Sequence, residues 1–166
     1  AFILNQIEKE NLGEVLEPHE IDLEIIYEVH DRKFVEFLEN AWEEWQNEGF
    51  IGEAIPTVWP SRSMNSNKIP KFIEGKLGYY CLASETSISE GSIKAAYDSA
   101  KVAIASAEKM SDNLSMFALC RPPGHHASKD QYGGYCFFNN AAIAAEKLKS
   151  QGASRIFILD IDFHHG

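Results

Sequence analysis

Residues 156–166 read Ile-Phe-Ile-Leu-Asp-Ile-Asp-Phe-His-His-Gly. The part from 156 to 163 is nearly continuous in apolar residues, the pattern of a strand buried on both faces of a parallel sheet. Before it, residues 139–150 carry helical spacing, and Gly152 stands where a helix would end. Before that, Met-Phe-Ala-Leu-Cys at 116–120 reads as a short strand. Strand, helix, strand in this order predicts a right-handed crossover unit. The expected fold class is therefore α/β, a parallel sheet flanked by helices. In such sheets the chemistry collects in loops beyond the carboxyl ends of the strands.

Further from this stretch the signal is helical. Residues 91–110 are Ala-rich, with Ile93, Tyr97, Ala100 and Ile104 at helical spacing. Asp31 is placed to cap a helix whose buried face would be Phe34, Phe37, Leu38, Ala41, Trp42 and Trp45. Residues 1–10 look like the end of another helix. Between 49 and 80 periodicity is lost, and Pro56, Pro60, Pro70, Gly75 and Gly78 break up the chain. Trp59, Phe72, Tyr79 and Tyr80 argue against disorder there, so an ordered excursion is expected.

Composition narrows the class. The 166 residues are 45% hydrophobic and 24% charged, with a formal net charge of −10. That charge repels phosphate backbones and argues against direct nucleic-acid binding. No apolar run approaches the roughly 20 residues that span a bilayer. Cys81, Cys120 and Cys136 form no CxxC pair and read as small buried hydrophobes in a reducing compartment. With no targeting signal visible, a cytoplasmic location is expected.

Four of the six histidines fall at the two expected strand ends. Arg121-Pro-Pro-Gly-His-His follows the first strand, and Asp160-Ile-Asp-Phe-His-His ends the second. Residues two apart on a strand share a face, so Asp162 and His164 could meet one cation, with Asp160 beside them. Carboxylate oxygen and imidazole nitrogen both suit zinc, although a catalytic zinc takes about three protein ligands. A plainer role for Asp160 and Asp162 is to cap neighbouring backbone amides. His125 and His126, held in a Pro-Pro-Gly turn, are candidates for general acid and base. Each needs a partner that sets its tautomer, and Asp160 is the obvious one. Gly133-Gly-Tyr-Cys-Phe-Phe-Asn-Asn follows. Its glycines allow a substrate close to the backbone, Tyr135 could wall a channel, and Phe137 and Phe138 read as core.

Three strings carry a resemblance: RPPGHHA at 121–127, GGYCFFNNAA at 133–142 and ILDIDFHHG at 158–166. In order and spacing the chain resembles the histone deacetylase superfamily, an arginase-like fold, from about Ile26 onward. GEAIPTVWP at 52–60 and IPKFIEGKLGYYCLASETSIS at 69–89 narrow the likeness to the acetylpolyamine amidohydrolases. The resemblance implies one catalytic zinc with Asp162 and His164 as ligands. It makes His126 the general base and then acid, and His125, paired with Asp160, an electrostatic partner. Asp160 would also hold a structural potassium ion. Gly134 and Tyr135 would line the substrate tunnel, and Glu74 and Glu85 would meet the distal ammonium of an acetylated amine. Residues 49–80 would be an insertion through which two copies dimerise.

The likeness also implies that residues 1–166 are the N-terminal part of one catalytic domain. The family's third zinc ligand and its catalytic tyrosine have no counterpart in this sequence. A two-manganese arginase-like site would want a carboxylate two residues after His164, where Gly166 stands. A protein lysine deacetylase and a catalytically inactive binding protein of the same fold remain as alternatives.

Overall fold

A computed structural model of the chain describes residues 2–65, 67–111 and 113–166. The described residues form five helices: α1 Phe2–Lys9, α2 Arg32–Asn47, α3 Ile73–Tyr80, α4 Ser92–Lys109 and α5 Asn140–Ser150, with a 3-10 turn at Glu24–Glu28 before α2. Helix α1 falls where the sequence places one, but none of its residues is buried.

Helix α2 forms as its pattern predicts. Asp31 leaves the helix at φ −62° and ψ 135°, and its carboxylate accepts the Lys33 N–H at 2.8 Å. That satisfies one of the amides a helix start leaves open. Phe34, Val35, Phe37, Leu38 and Ala41 are buried. Trp42 and Trp45 only pack on the core edge, where Trp45 stacks on Phe50.

The unpatterned stretch 49–80 contains α3. Gly75 and Gly78 hid this helix from periodicity, and packing explains both. A Cβ on Gly78 would lie 1.5 Å from the Val58 carbonyl oxygen, and one on Gly75 would lie 2.7 Å from Pro70. The chain at 58–59 thus lies directly on the helix, where Trp59 donates its indole N–H to the Cys81 carbonyl at 2.8 Å. An ion pair from Lys76 to Glu44, at 2.6 Å, ties α3 to α2.

Helices α4 and α5 pack side by side. The small side chains of Ala96, Ser99, Ala100 and Ala103 let them approach closely. Between the helices an aromatic core forms from Phe34, Tyr80, Tyr132 and Phe138. Phe137 and Phe138 are buried, as expected from sequence.

The parallel sheet expected at 116–120 and 156–163 is not formed. Among the described residues there is no strand, only isolated bridges at Ala54–Ile88, Cys81–Tyr132, Ser111–Leu114 and Gly133–Cys136. Both stretches run without helix or ladder, and Phe157, Leu159, Ile161 and Phe163 stand exposed, Phe163 at 97%. A strand needs a neighbour to take its backbone N–H and C=O groups. Neither stretch has one among the described residues. The apolar run reports a demand for burial and does not name what buries it.

Candidate active site

The His-His turn lies against the start of α5. Ala127 donates its N–H to the Gly124 carbonyl at 3.0 Å and closes the turn. A Cβ on Gly124 would come within 2.5 Å of the Asn140 nitrogen, so no other residue allows this approach. The rings of His125 and His126 sit 4.0 Å apart, centroid to centroid.

Asp160 comes to this turn across 35 residues, its Oδ2 meeting His125 Nδ1 at 2.8 Å. That is the pairing expected from sequence. The contact puts the His125 proton on Nδ1 and leaves Nε2 toward the cavity. Asp160 Oδ1 accepts the Asp162 N–H at 3.0 Å, and Asp162 Oδ1 accepts the His164 N–H at 2.8 Å. The plainer capping role is therefore also filled. These contacts hold both carboxyls below their ordinary range. For Asp160 the Asp162 amide acts first and His125 second; for Asp162 the His164 amide acts first and its ring second.

Asp162 Oδ1 and His164 Nδ1 lie 3.2 Å apart, and the His164 ring is 6.2 Å from that of His126. One carboxylate oxygen and one imidazole nitrogen this close form a fitting pair of donors for zinc. Among the described residues no group of three or more His, Cys, Asp and Glu side chains converges to complete a metal site.

A tight turn forms the opposite wall. Gly133 and Cys136 exchange both backbone hydrogen bonds at 2.9 Å, while Gly134 and Tyr135 take φ of 53° and 65°. Positive φ at both central residues marks a type I′ turn. For Tyr135 this is a sparsely populated conformation of the kind that clusters at functional sites. A Cβ on Gly134 would fall 2.1 Å from His126 Cδ2, so the bare backbone rests against the imidazole. The turn is pinned from outside: Glu85 accepts the Gly134 N–H at 3.1 Å, and Thr86 accepts the Tyr135 N–H at 2.8 Å.

Together these walls border a cavity of about 850 Å³. His125, His126, Gly134, Tyr135, Glu85, Asp160, Asp162 and His164 all line it. Glu74, on the exposed side of α3, does not. Burial raises the pKa of all three cysteine thiols, so they remain protonated and inert.

Sequence reasoning missed the residues behind the site. His30 is buried at 1% exposure and accepts the Asn139 N–H at Nε2, 2.9 Å away and 109 residues along the chain. A contact at that separation leaves no local signal. Asn139 and Asn140 stood in a quoted motif, but their roles depend on carbonyls they reach only in the fold.

The histone deacetylase domain family matches residues 1–166. An acetylpolyamine amidohydrolase from Mycoplana ramosa is 48% identical over 166 residues, which are 99% of this chain and 48% of that protein. Acetylpolyamine amidohydrolase 1 of Pseudomonas aeruginosa is 45% identical over the same coverage. The solved structure of an acetylpolyamine aminohydrolase from Burkholderia pseudomallei superposes with a TM-score of 0.77 at 33% identity, over 89% of this chain and 43% of that one. The chain thus spans about half the length of the curated relatives it matches. Among the described residues no helix is long and apolar enough to cross a membrane. On the match over its whole length, the chain belongs to the histone deacetylase domain family.

Proposed function

We propose that this chain carries the acid–base half of a zinc-dependent amidohydrolase. Its substrates are acetylated polyamines or related small cationic amides, and its products are acetate and free amine. The observation that carries this reading is the His125–Asp160 pair at 2.8 Å, beside His126 and facing Asp162 and His164 across one cavity. Relatives named for acetylpolyamine hydrolysis at 45% and 48% identity support the substrate class.

Asp162 and His164 would hold the zinc, and a third donor must come from outside the described residues. When bound, the zinc would polarise the amide carbonyl and acidify the attacking water. His126, its ring fixed against Gly134, takes the proton from that water and delivers it to the departing amine nitrogen. His125 keeps its proton on Nδ1 through Asp160 and supports the developing negative charge. The Gly134 carbonyl accepts the substrate amide N–H, and Tyr135 flanks the alkyl chain. Glu85 has given one oxygen to the Gly134 amide and has the other for a substrate ammonium. Glu74 would meet the distal ammonium outside the cavity wall. Potassium would sit at Asp160 with the Asp162 and His164 carbonyls.

On the same reading, residues 116–120 and 156–163 are strands of the family's parallel sheet, and residues 1–166 are the N-terminal part of one catalytic domain. The likeness to a solved relative at a TM-score of 0.77 supports this. Residues 49–80 form a homodimer contact. Exposed Ile51, Val58, Trp59, Met64 and Phe72 in that stretch supply the apolar surface it would need.

The test is turnover of N-acetylputrescine against an acetyl-lysine peptide, by zinc-loaded protein expressed from its complete coding sequence. The expected result is a higher kcat/KM on the polyamine, lost by roughly 10²- to 10⁴-fold in His126→Ala, the usual range for a general acid–base group. Preference for the peptide would move the substrate class to protein lysines. Absence of both activities with zinc bound would sink the hydrolase reading.

A further inference from the structure

The turn that carries His125 and His126 belongs to no helix or strand, and its single internal bond joins Ala127 to Gly124. What fixes it comes from the two asparagines at the start of α5. Asn139 donates Nδ2–H to the Ala127 carbonyl, directly after His126, at 3.1 Å. Asn140 donates Nδ2–H to the Pro122 carbonyl at 3.2 Å and to Ser99 Oγ at 3.0 Å. The Ser99 hydroxyl in turn donates to the same Pro122 carbonyl at 2.7 Å. The histidine pair is thus bracketed by two carbonyls, each held by a side-chain amide.

Neither amide is explained by the helix it begins. Asn139 Oδ1 caps α5 by accepting the Ala142 N–H at 3.0 Å, a task that Ser or Asp performs as well. What Asn adds is a donor on the other side of the same group, and only the His-His turn uses it. The His30 imidazole takes the Asn139 backbone N–H and so leaves the side chain to face the turn. Asn140 is 7% exposed and its Oδ1 has no partner among the described residues, which a buried amide tolerates only at a cost. Ala at that position would favour the helix more. Its two bonds to Pro122 and Ser99 are what the amide returns.

We propose that Asn139 and Asn140 are positioning residues that hold the His125–His126 turn at the cavity, Asn139 through the Ala127 carbonyl and Asn140 through the Pro122 carbonyl. This rests on the hydrolase reading above for its consequence in turnover, but its structural content stands apart from it. Asn139→Ser separates the two tasks of one side chain, because Ser keeps the cap and cannot reach Ala127. Asn139→Ala removes both.

In the zinc-loaded protein from the complete coding sequence, Asn139→Ser keeps the wild-type Tm. It loses about ten- to hundred-fold in kcat on N-acetylputrescine with KM unchanged, the scale of a misplacement on the order of 1 Å. Backbone amides of the peptide 121–128 exchange hydrogen faster than in wild type. Asn139→Ala shows the same kcat loss and also a lower Tm. Wild-type kcat and exchange in Asn139→Ser would overturn the proposal, as would an effect confined to KM. A kcat loss that appears only together with a fall in Tm would also overturn it, by making Asn139 a helix cap and nothing more. If the wild type hydrolyses neither substrate, the hydrolase reading fails while the exchange rates still decide the positioning role.

Discussion

The two arms of the site are held in different ways. The arm with His125 and His126 is fixed from behind by α5, by Ser99 and by the Gly134 turn, and the His125 side chain is 23% exposed. The arm with Asp162 and His164 is fixed by local contacts two residues apart and by one reach from Asp160 to His125, and the His164 side chain is 72% exposed. On the proposed reading the first arm transfers protons, and such a group must hold its geometry before substrate arrives, which a buried scaffold supplies. On the same reading the second arm would bind the metal, and a pair of ligands can be ordered by the ion they bind, because metal binding and local folding are coupled.

The largest expected effect breaks the second arm alone. Asp162→Asn removes a negative donor but keeps an acceptor for the His164 N–H. Zinc affinity, measured by competition with a chromogenic chelator, is expected to fall by more than the roughly 10- to 100-fold typical of losing a residue that only orients a ligand. Hydrolysis of N-acetylputrescine should fall to background. Tm without metal should change by no more than the equivalent of about 0.5 kcal/mol, as for other exposed positions. A large loss of metal-free stability would show that this arm is built into the scaffold after all and would erase the contrast.

Gly134→Ala tests the first arm with a single methyl group. That methyl would sit 2.1 Å from His126 Cδ2, on a residue at φ 53°. Overpacking of this kind costs about 1–3 kcal/mol, and the left-handed backbone adds about 1–2 kcal/mol for a side chain. The ring must move, so kcat is expected to drop by about 100-fold along with Tm. Zinc affinity stays near wild type, because the hydrogen bonds of Asp162 and His164 do not run to the turn. Equal losses in zinc affinity and kcat would show the arms to be coupled.

The same contrast decides what could be read from sequence. The helices were legible because their signals are local: the Asp31 cap, the small-residue face of α4, and the start of α5 at Asn139. The candidate site residues stood mostly in short strings near the ends of apolar runs, and the structure brings all but Glu74 to one cavity. Helix α3 was not legible, because Gly75 and Gly78 are chosen by contacts with Pro70 and Val58 rather than by helix propensity. The sheet is not confirmed among the described residues, since a ladder is a property of two strands and the apolar run at 156–163 describes one. His30 carries no marker beyond its place before a cap, and its function is a hydrogen bond to a residue 109 positions away.

The smallest expected effect separates the arms by pH. His30 is buried and neutral: its Nε2 accepts a hydrogen bond from the Asn139 amide, and burial lowers its pKa below 6.5, only partly offset by the Ser128 and Lys129 backbone. Its contribution to stability is therefore complete above about pH 6.5 and is lost as pH falls from there toward its folded value, because the unfolded chain takes the proton first. Asp160 and Asp162 are also lowered, from 3.8, so their contributions persist through that range and fade only below it. His30→Gln keeps an acceptor for Asn139 and cannot titrate. Between pH 7 and pH 5 the wild type should lose stability with a slope of at most about 1.4 kcal/mol per pH unit from this one group, and His30→Gln should flatten that slope while leaving the acid limb below 3.8 intact. Urea titrations at a series of pH values measure both. A slope unchanged in His30→Gln would mean that the scaffold behind the histidine pair does not depend on a neutral imidazole.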